Sequence, residues 1–179
     1  MKAGWIVLAT LALLGCSKPT PTPSVPAGTK IGNQHSFWGS MLPAYRPGMS
    51  WSYRRVLVGN GVLTTDSLSI EVASVEKWAS LKVTGWMEPA TVSLQSPTEA
   101  ILSSSATYES LGTEDVTVPY GSFKQAAKFR FDPQYKAQAA GTETLLWFVQ
   151  GVGLVKTASI QQTGEKSTVV TQELTQFKK

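Results

Sequence analysis

The chain has one cysteine and one histidine among 179 residues, and only three aspartates, and each shortage removes a class of chemistry. With Cys16 alone, no disulfide can staple the fold, and stability must come from a packed core, which a single domain of this length can supply. His35 has no second histidine or free thiol to work with. A zinc centre of the usual type and a Ser-His-Asp or Cys-His apparatus are both left without their parts. Asp66, Asp115 and Asp132 are far apart and make no calcium loop. There is no phosphate-cradling Gly-x-x-x-x-Gly-Lys, and Gly151-Val152-Gly153 lacks the third glycine of a dinucleotide fingerprint. We therefore expect no metal, no cofactor and no catalytic residue. Should turnover nonetheless appear, Glu114, Asp115 and Glu143 are the carboxylates to test as general acid or base. Adjacent Glu114 and Asp115 would face opposite ways at the start of a strand, so a turn or cap role is the expectation for them.

Charge is also modest: the formal balance is +4, with basic residues scattered and no dense cluster, so nucleic acid is not an expected partner. Long apolar runs are missing too. The longest, Ala3 to Leu14, follows Lys2 and falls short of the roughly 20 residues of a spanning helix, in the length class of a secretory h-region. It ends in Leu13-Leu14-Gly15-Cys16. These four residues resemble the lipobox of bacterial lipoprotein precursors. The resemblance implies cleavage before Cys16, a diacylglyceryl thioether on its sulfur and acylation of its new α-amine. The lipid bilayer is then the expected partner, because two or three acyl chains give stable attachment where one does not. Ser17, in the position where Asp commonly signals inner-membrane retention, implies a cell-envelope protein on the outer membrane, facing the periplasm if the cell is Gram-negative. An ordinary signal peptide with an accidental cysteine and an uncleaved amphipathic helix are the competing readings.

Residues 17–36 carry four prolines and hardly any large apolar side chain, too few to offset the entropy of ordering. The Pro-Thr repeats favour polyproline II, a semi-stiff spacer. The expected organisation is a signal peptide over 1–15, a lipidated cysteine with a Pro/Thr-rich flexible linker over 16–36, and a single all-β domain over 37–179. His35 then falls in the linker as a solvated residue.

Beyond Phe37 the chain breaks into short runs rich in Val, Ile, Thr and aromatics, punctuated by turn residues about every ten positions. Leu68, Ile70 and Val72 alternate with polar residues, as do Ala127, Phe129 and Phe131, and each run predicts a strand with one buried face. Gly59-Asn60-Gly61 predicts a hairpin, with further turns at Glu76-Lys77, Pro119-Tyr120-Gly121, Gly151-Val152-Gly153 and Thr163-Gly164-Glu165. Pro119 presets φ and Gly121 is expected at positive φ. The segment from Pro97 to Ser110 has some helical potential and stays ambiguous. The fold class expected is a strongly curved antiparallel sheet or partly closed β-barrel of about nine or ten strands, with a β-sandwich as competitor.

Three patterns extend the resemblance beyond the lipobox: Pro47-Gly48-Met49-Ser50-Trp51-Ser52-Tyr53, Val118-Pro119-Tyr120-Gly121-Ser122-Phe123, and Gly151-Val152-Gly153-Leu154-Val155. Together they resemble a broad group of bacterial envelope lipoproteins, from about Leu42 to Leu174. Tyr120 departs from the Ala common at its position and places an exposed aromatic on a loop tip. The resemblance specifies a fold and names no reaction.

Aromatics are what the chain has in supply. Trp51, Phe129 and Phe131 are expected to fill the core. Trp78 and Trp86 share their alternation with Ser80, Lys82 and Thr84, opposite Ala79, Leu81 and Val83. If the latter three face inward, Trp78 and Trp86 stand on a polar face and, with Tyr120, are candidate contacts for a ligand or partner. Two functions follow as expectations. One is a non-catalytic module holding an apolar or amphiphilic, lipid-like small molecule on a concave sheet; the other is a structural or assembly protein docking another envelope protein through an exposed sheet surface. An apolar cavity of a few hundred Å³ would favour the first, and a filled interior with an external apolar patch the second.

Overall fold

The computed structural model describes residues 22–31, 35–59, 61–76, 79–85, 90–94, 107–132, 142–163 and 166–179. They form one antiparallel sheet and one short helix. The strands are β1 (Lys30–Ile31), β2 (Ser50–Gly59), β3 (Val62–Val75), β4 (Ala79–Gly85), β5 (Ala90–Leu94), β6 (Thr107–Val118), β7 (Gly121–Asp132), β8 (Thr142–Val149), β9 (Gly153–Thr163) and β10 (Lys166–Lys178), with α1 (His35–Met41) after β1. Their order in the sheet is β1-β6-β7-β8-β9-β10-β2-β3-β4-β5. Two meanders, β6 to β10 and β2 to β5, are thus joined where β10 pairs with β2. The sheet is curved and open, as the turn spacing led us to expect.

Its curvature can be read from one hydrogen bond. The Tyr120 N–H, in the turn between β6 and β7, donates to the Leu174 carbonyl of β10 at 3.0 Å, although β8 and β9 intervene in the strand order. Bulges supply the bending: the register shifts between Ser110 and Thr113, between Glu114 and Val116, between Trp147 and Phe148, and between Leu174 and Gln176. Gln125, opposite the second of these, takes φ 53°, and the Asp115 carboxylate accepts its N–H at 3.1 Å. Asp115, inside β6, therefore holds a bulge of the facing β7, where a turn or cap at a strand start had been expected. The Pro119-Tyr120 turn also departs from expectation, because Gly121 does not have positive φ. Pro119 cannot enter the φ > 0 region that primed two-residue hairpins require, and the nearby bulges absorb the resulting splay.

Leu68, Val72, Ala79, Leu81, Ala127 and Phe129 are buried, matching the alternation in the sequence. The boundary at Phe37 is displaced. Val25 packs on the core, its carbonyl accepts from the Ser110 hydroxyl at 2.9 Å, the Gly28 N–H donates to the Ser110 carbonyl at 2.7 Å, and Ile31 is 2% exposed. Two apolar residues in a proline-rich stretch suffice because β6 offers them an edge to pair with. His35, expected in the linker, is the first residue of α1. A seven-residue helix is marginal alone. Here Trp38 and Met41, one turn apart, are fully buried, and Trp38 packs its ring edge against Tyr108 and Phe148 with centroids 4.9 and 5.3 Å away, and tilted on Phe129 at 5.5 Å. Its indole N–H has no acceptor among the described residues, a cost that this ring packing offsets.

Candidate functional site

β9 and β10 pair from Thr163↔Lys166 to Lys156↔Glu173 and no further. Beyond that point, carbonyls at the start of β9 need other donors, and β2 provides them. The Tyr53 hydroxyl donates to the Leu154 carbonyl at 3.0 Å and the Trp51 indole N–H to the Val152 carbonyl at 2.8 Å. Burial pushes the Tyr53 phenol well above its ordinary pKa, with Tyr45 nearby adding to the rise. Tyr108 is pushed up to about 12 by burial.

A half-open groove of about 310 Å³ lies over these aromatics. Leu42, Pro43 and Tyr45, from the segment after α1, line one part; Trp51, Tyr53, Ile70 and Leu81 come from β2 to β4; Tyr108, Leu146, Phe148 and Leu154 come from β6, β8 and β9. Two turns lie beside it. In Arg46–Met49 the Met49 N–H donates to the Arg46 carbonyl at 3.1 Å, with Pro47 at the second position and Gly48 at φ 83°, the arrangement of a type II turn. At Gln150–Gly153 the Gly151 N–H donates to the Met41 carbonyl at 3.1 Å, and a Cβ on Gly153 would sit 3.5 Å from Leu42 Cδ2. Val152 and Gly153 thus line the groove itself, and the Pro47-Gly48 turn follows Tyr45 beside it.

On another row of the sheet, register places Lys128, Trp147, Lys156, Glu173 and Arg54 side by side across five strands. Glu114 accepts from the Trp147 indole at 2.5 Å and from Lys128 at 3.0 Å; Glu173 accepts from Arg54 at 3.0 Å and from Lys156 at 3.2 Å. The Lys128 and Lys156 ammonium groups lie 5.0 and 5.7 Å from the Trp147 ring centroid. Burial raises the pKa of Glu114 and of Glu173, but these hydrogen bonds and the neighbouring cations outweigh it and hold both carboxyls below their usual range. The row satisfies its own charges. Glu143, with Glu109, pairs with Arg130.

Of the residues singled out in the sequence, Cys16, Trp78 and Trp86 lie outside the described residues. Tyr120 is 43% exposed at its loop tip, stacked near Phe123 at 6.2 Å and edge-on to Phe177 at 6.5 Å, away from the groove lining. Of the groove residues, Leu81 and Leu154 fall in patterns noted in the sequence as strand or motif positions, while Leu42 and Leu146 carry no signal beyond being apolar. An apolar patch lies elsewhere: register aligns Ile160, Val169, Val58 and Leu63 on one face at the end of β9, β10, β2 and β3, with Val58 46% and Leu63 67% exposed.

No protein-family model matches the chain, and no curated protein matches it. Among solved structures it is similar to a lipoprotein candidate from Parabacteroides distasonis, with a TM-score of 0.48 and 14% identity over 77% of this chain and 98% of that one. It is also similar to an exported-protein candidate with a YmcC-like fold from Bacteroides fragilis, with a TM-score of 0.46 and 12% identity over 78% of this chain and 99% of that one. At these identities no site residue transfers from either protein.

Proposed function

We propose that the chain is a lipid-anchored protein of the bacterial envelope whose domain binds an apolar or amphiphilic molecule in the groove without transforming it. Anchoring is supported by Leu13-Leu14-Gly15-Cys16 behind a short apolar run. Binding is supported by one observation, the mostly apolar groove of about 310 Å³ assembled from six strands and the segment after α1. That volume stands at the lower end of small-molecule sites. Cys16→Ser should move the protein from the membrane to the soluble fraction, and retention in the membrane would overturn the anchor. With that soluble variant, calorimetric titration with dodecanol tests the groove. Ile70→Trp, which fills it, should weaken binding by about tenfold or more while the chain stays folded. Equal binding by both forms would place the ligand elsewhere.

The row of Ile160, Val169, Val58 and Leu63 supports a second reading, docking of another envelope protein at that sheet end. Leu63→Glu should then release a co-purifying partner and leave dodecanol binding unchanged.

A further inference from the structure

We propose that the groove selects an anionic single-chain amphiphile, whose carboxylate or phosphate head group is held by Tyr45, Arg46 and Lys179. This rests on the groove-binding reading and adds the chemistry of the head. A second depression of about 250 Å³, lined by Arg46, Met49 and Lys179, adjoins the groove: Pro43 lines both, and Gly151 of one precedes Val152 of the other.

Charge accounting sets Arg46 apart. Of the four arginines, Arg54, Arg55 and Arg130 each hold a carboxylate, at Glu173, Asp66 and the Glu109/Glu143 pair. Arg46 holds none among the described residues, and neither does Lys179. The backbone that carries Arg46 is also held, because its turn is clamped to β3: the Gly48 N–H donates to the Val72 carbonyl and the Val72 N–H to the Met49 carbonyl, both at 2.8 Å. A guanidinium can fork onto a carboxylate or phosphate, and a held backbone leaves only the side chain to be ordered. Tyr45, the next residue back, lines the apolar groove, and its hydroxyl has no hydrogen-bond partner among the described residues. Burial raises its pKa, so it remains a neutral donor at the boundary between chain and head. The apolar groove with its phenol and the depression with its two cations are thus neighbours that share Pro43.

The test uses the Cys16→Ser chain at about pH 8 and four probes: dodecanoate, dodecyl phosphate, dodecanol and inorganic phosphate, each titrated calorimetrically below its aggregation limit. Dodecanoate or dodecyl phosphate should bind about tenfold more tightly than dodecanol, and whichever is tighter names a fatty acid or a lipid phosphate as the source. Arg46→Gln combined with Lys179→Gln, both at exposed positions, should remove that advantage and leave dodecanol unchanged. Raising salt from about 50 to about 500 mM should weaken only the anionic probes. Equal affinity for the anions and dodecanol would overturn the head-group proposal while leaving the groove intact. Inorganic phosphate binding as tightly as dodecyl phosphate would overturn it in favour of a tail-independent anion site. Failure of every chain-bearing probe to bind would overturn the groove reading, and this proposal with it.

Discussion

The half of the sheet under α1 and the half formed by β2 to β4 draw on the same stock of aromatic side chains and each has a buried cluster, yet one is closed by a helix and the other leaves a groove at its edge. Beneath α1, Trp38 closes over Tyr108, Phe129 and Phe148, and Ile31 of β1 completes the cluster. Beyond the helix, Trp51, Tyr53, Ile70 and Leu81 pack into a second cluster with Leu68, Val72 and Leu174, but only the thin segment from Leu42 to Tyr45 covers them on the side of the groove, whose other wall is Tyr108 and Phe148. The difference is the length of the cover. Seven helical residues present one turn of large side chains to the sheet, enough to seal one region and too short to seal two. Aromatic content alone therefore does not say whether a curved sheet is solid or hollow; the length and position of the element laid across it does.

The sharpest way to break this comparison is Trp38→Ala. Removing the closing side chain of the filled half should cost about 3–5 kcal/mol in urea denaturation. A loss below about 1 kcal/mol would mean that α1 does not hold that half together. Next come two of the three groove tyrosines. Tyr53→Phe leaves the Leu154 carbonyl without its donor and should cost about 1–2 kcal/mol, whereas Tyr45→Phe removes a hydroxyl with no partner and should leave stability unchanged. Similar losses from both would show that the open rim is as interlocked as the floor. Smaller again is the glycine pair at the two turns. Gly153→Ala, at φ 93°, should lower stability by about 1 kcal/mol, and Gly121→Ala, which lacks positive φ, should not.

The smallest effect belongs to the charged row around Trp147, which neither half of the comparison uses. Glu114 and Glu173 are held below the ordinary Glu value of 4.5 in the folded state. Their contribution is present above that pH and is lost as pH falls through their folded values, because protonation ends the hydrogen bonds with Trp147, Lys128, Arg54 and Lys156. The thermal midpoint should therefore decline on acidification below about pH 4.5, and less steeply in Glu173→Gln. An identical acid profile in that variant would show that the row contributes nothing to the decline.

Period-two alternation placed Leu68, Val72, Phe129 and Leu81 inward from the sequence alone, because a strand offers its residues only two faces and one must be dry. The turn chemistry of Gly59-Asn60-Gly61, Pro119-Tyr120 and Gly151-Val152-Gly153 marked where the chain reverses, since φ preferences act locally. The lipobox-like Leu13-Leu14-Gly15-Cys16 is legible for the same reason: it is read as a linear string. What the sequence could not carry is how the pieces meet. That Ile31 pairs with β6, that β10 joins the two meanders beside β2, and that Arg46 and Lys179 line one depression depend on contacts between residues up to more than a hundred positions apart. Such contacts are selected by shape and burial summed over the whole sheet, and no local pattern records them. The bulges belong with them: each shifts a register by one residue to satisfy curvature, and curvature is a property of the assembled sheet.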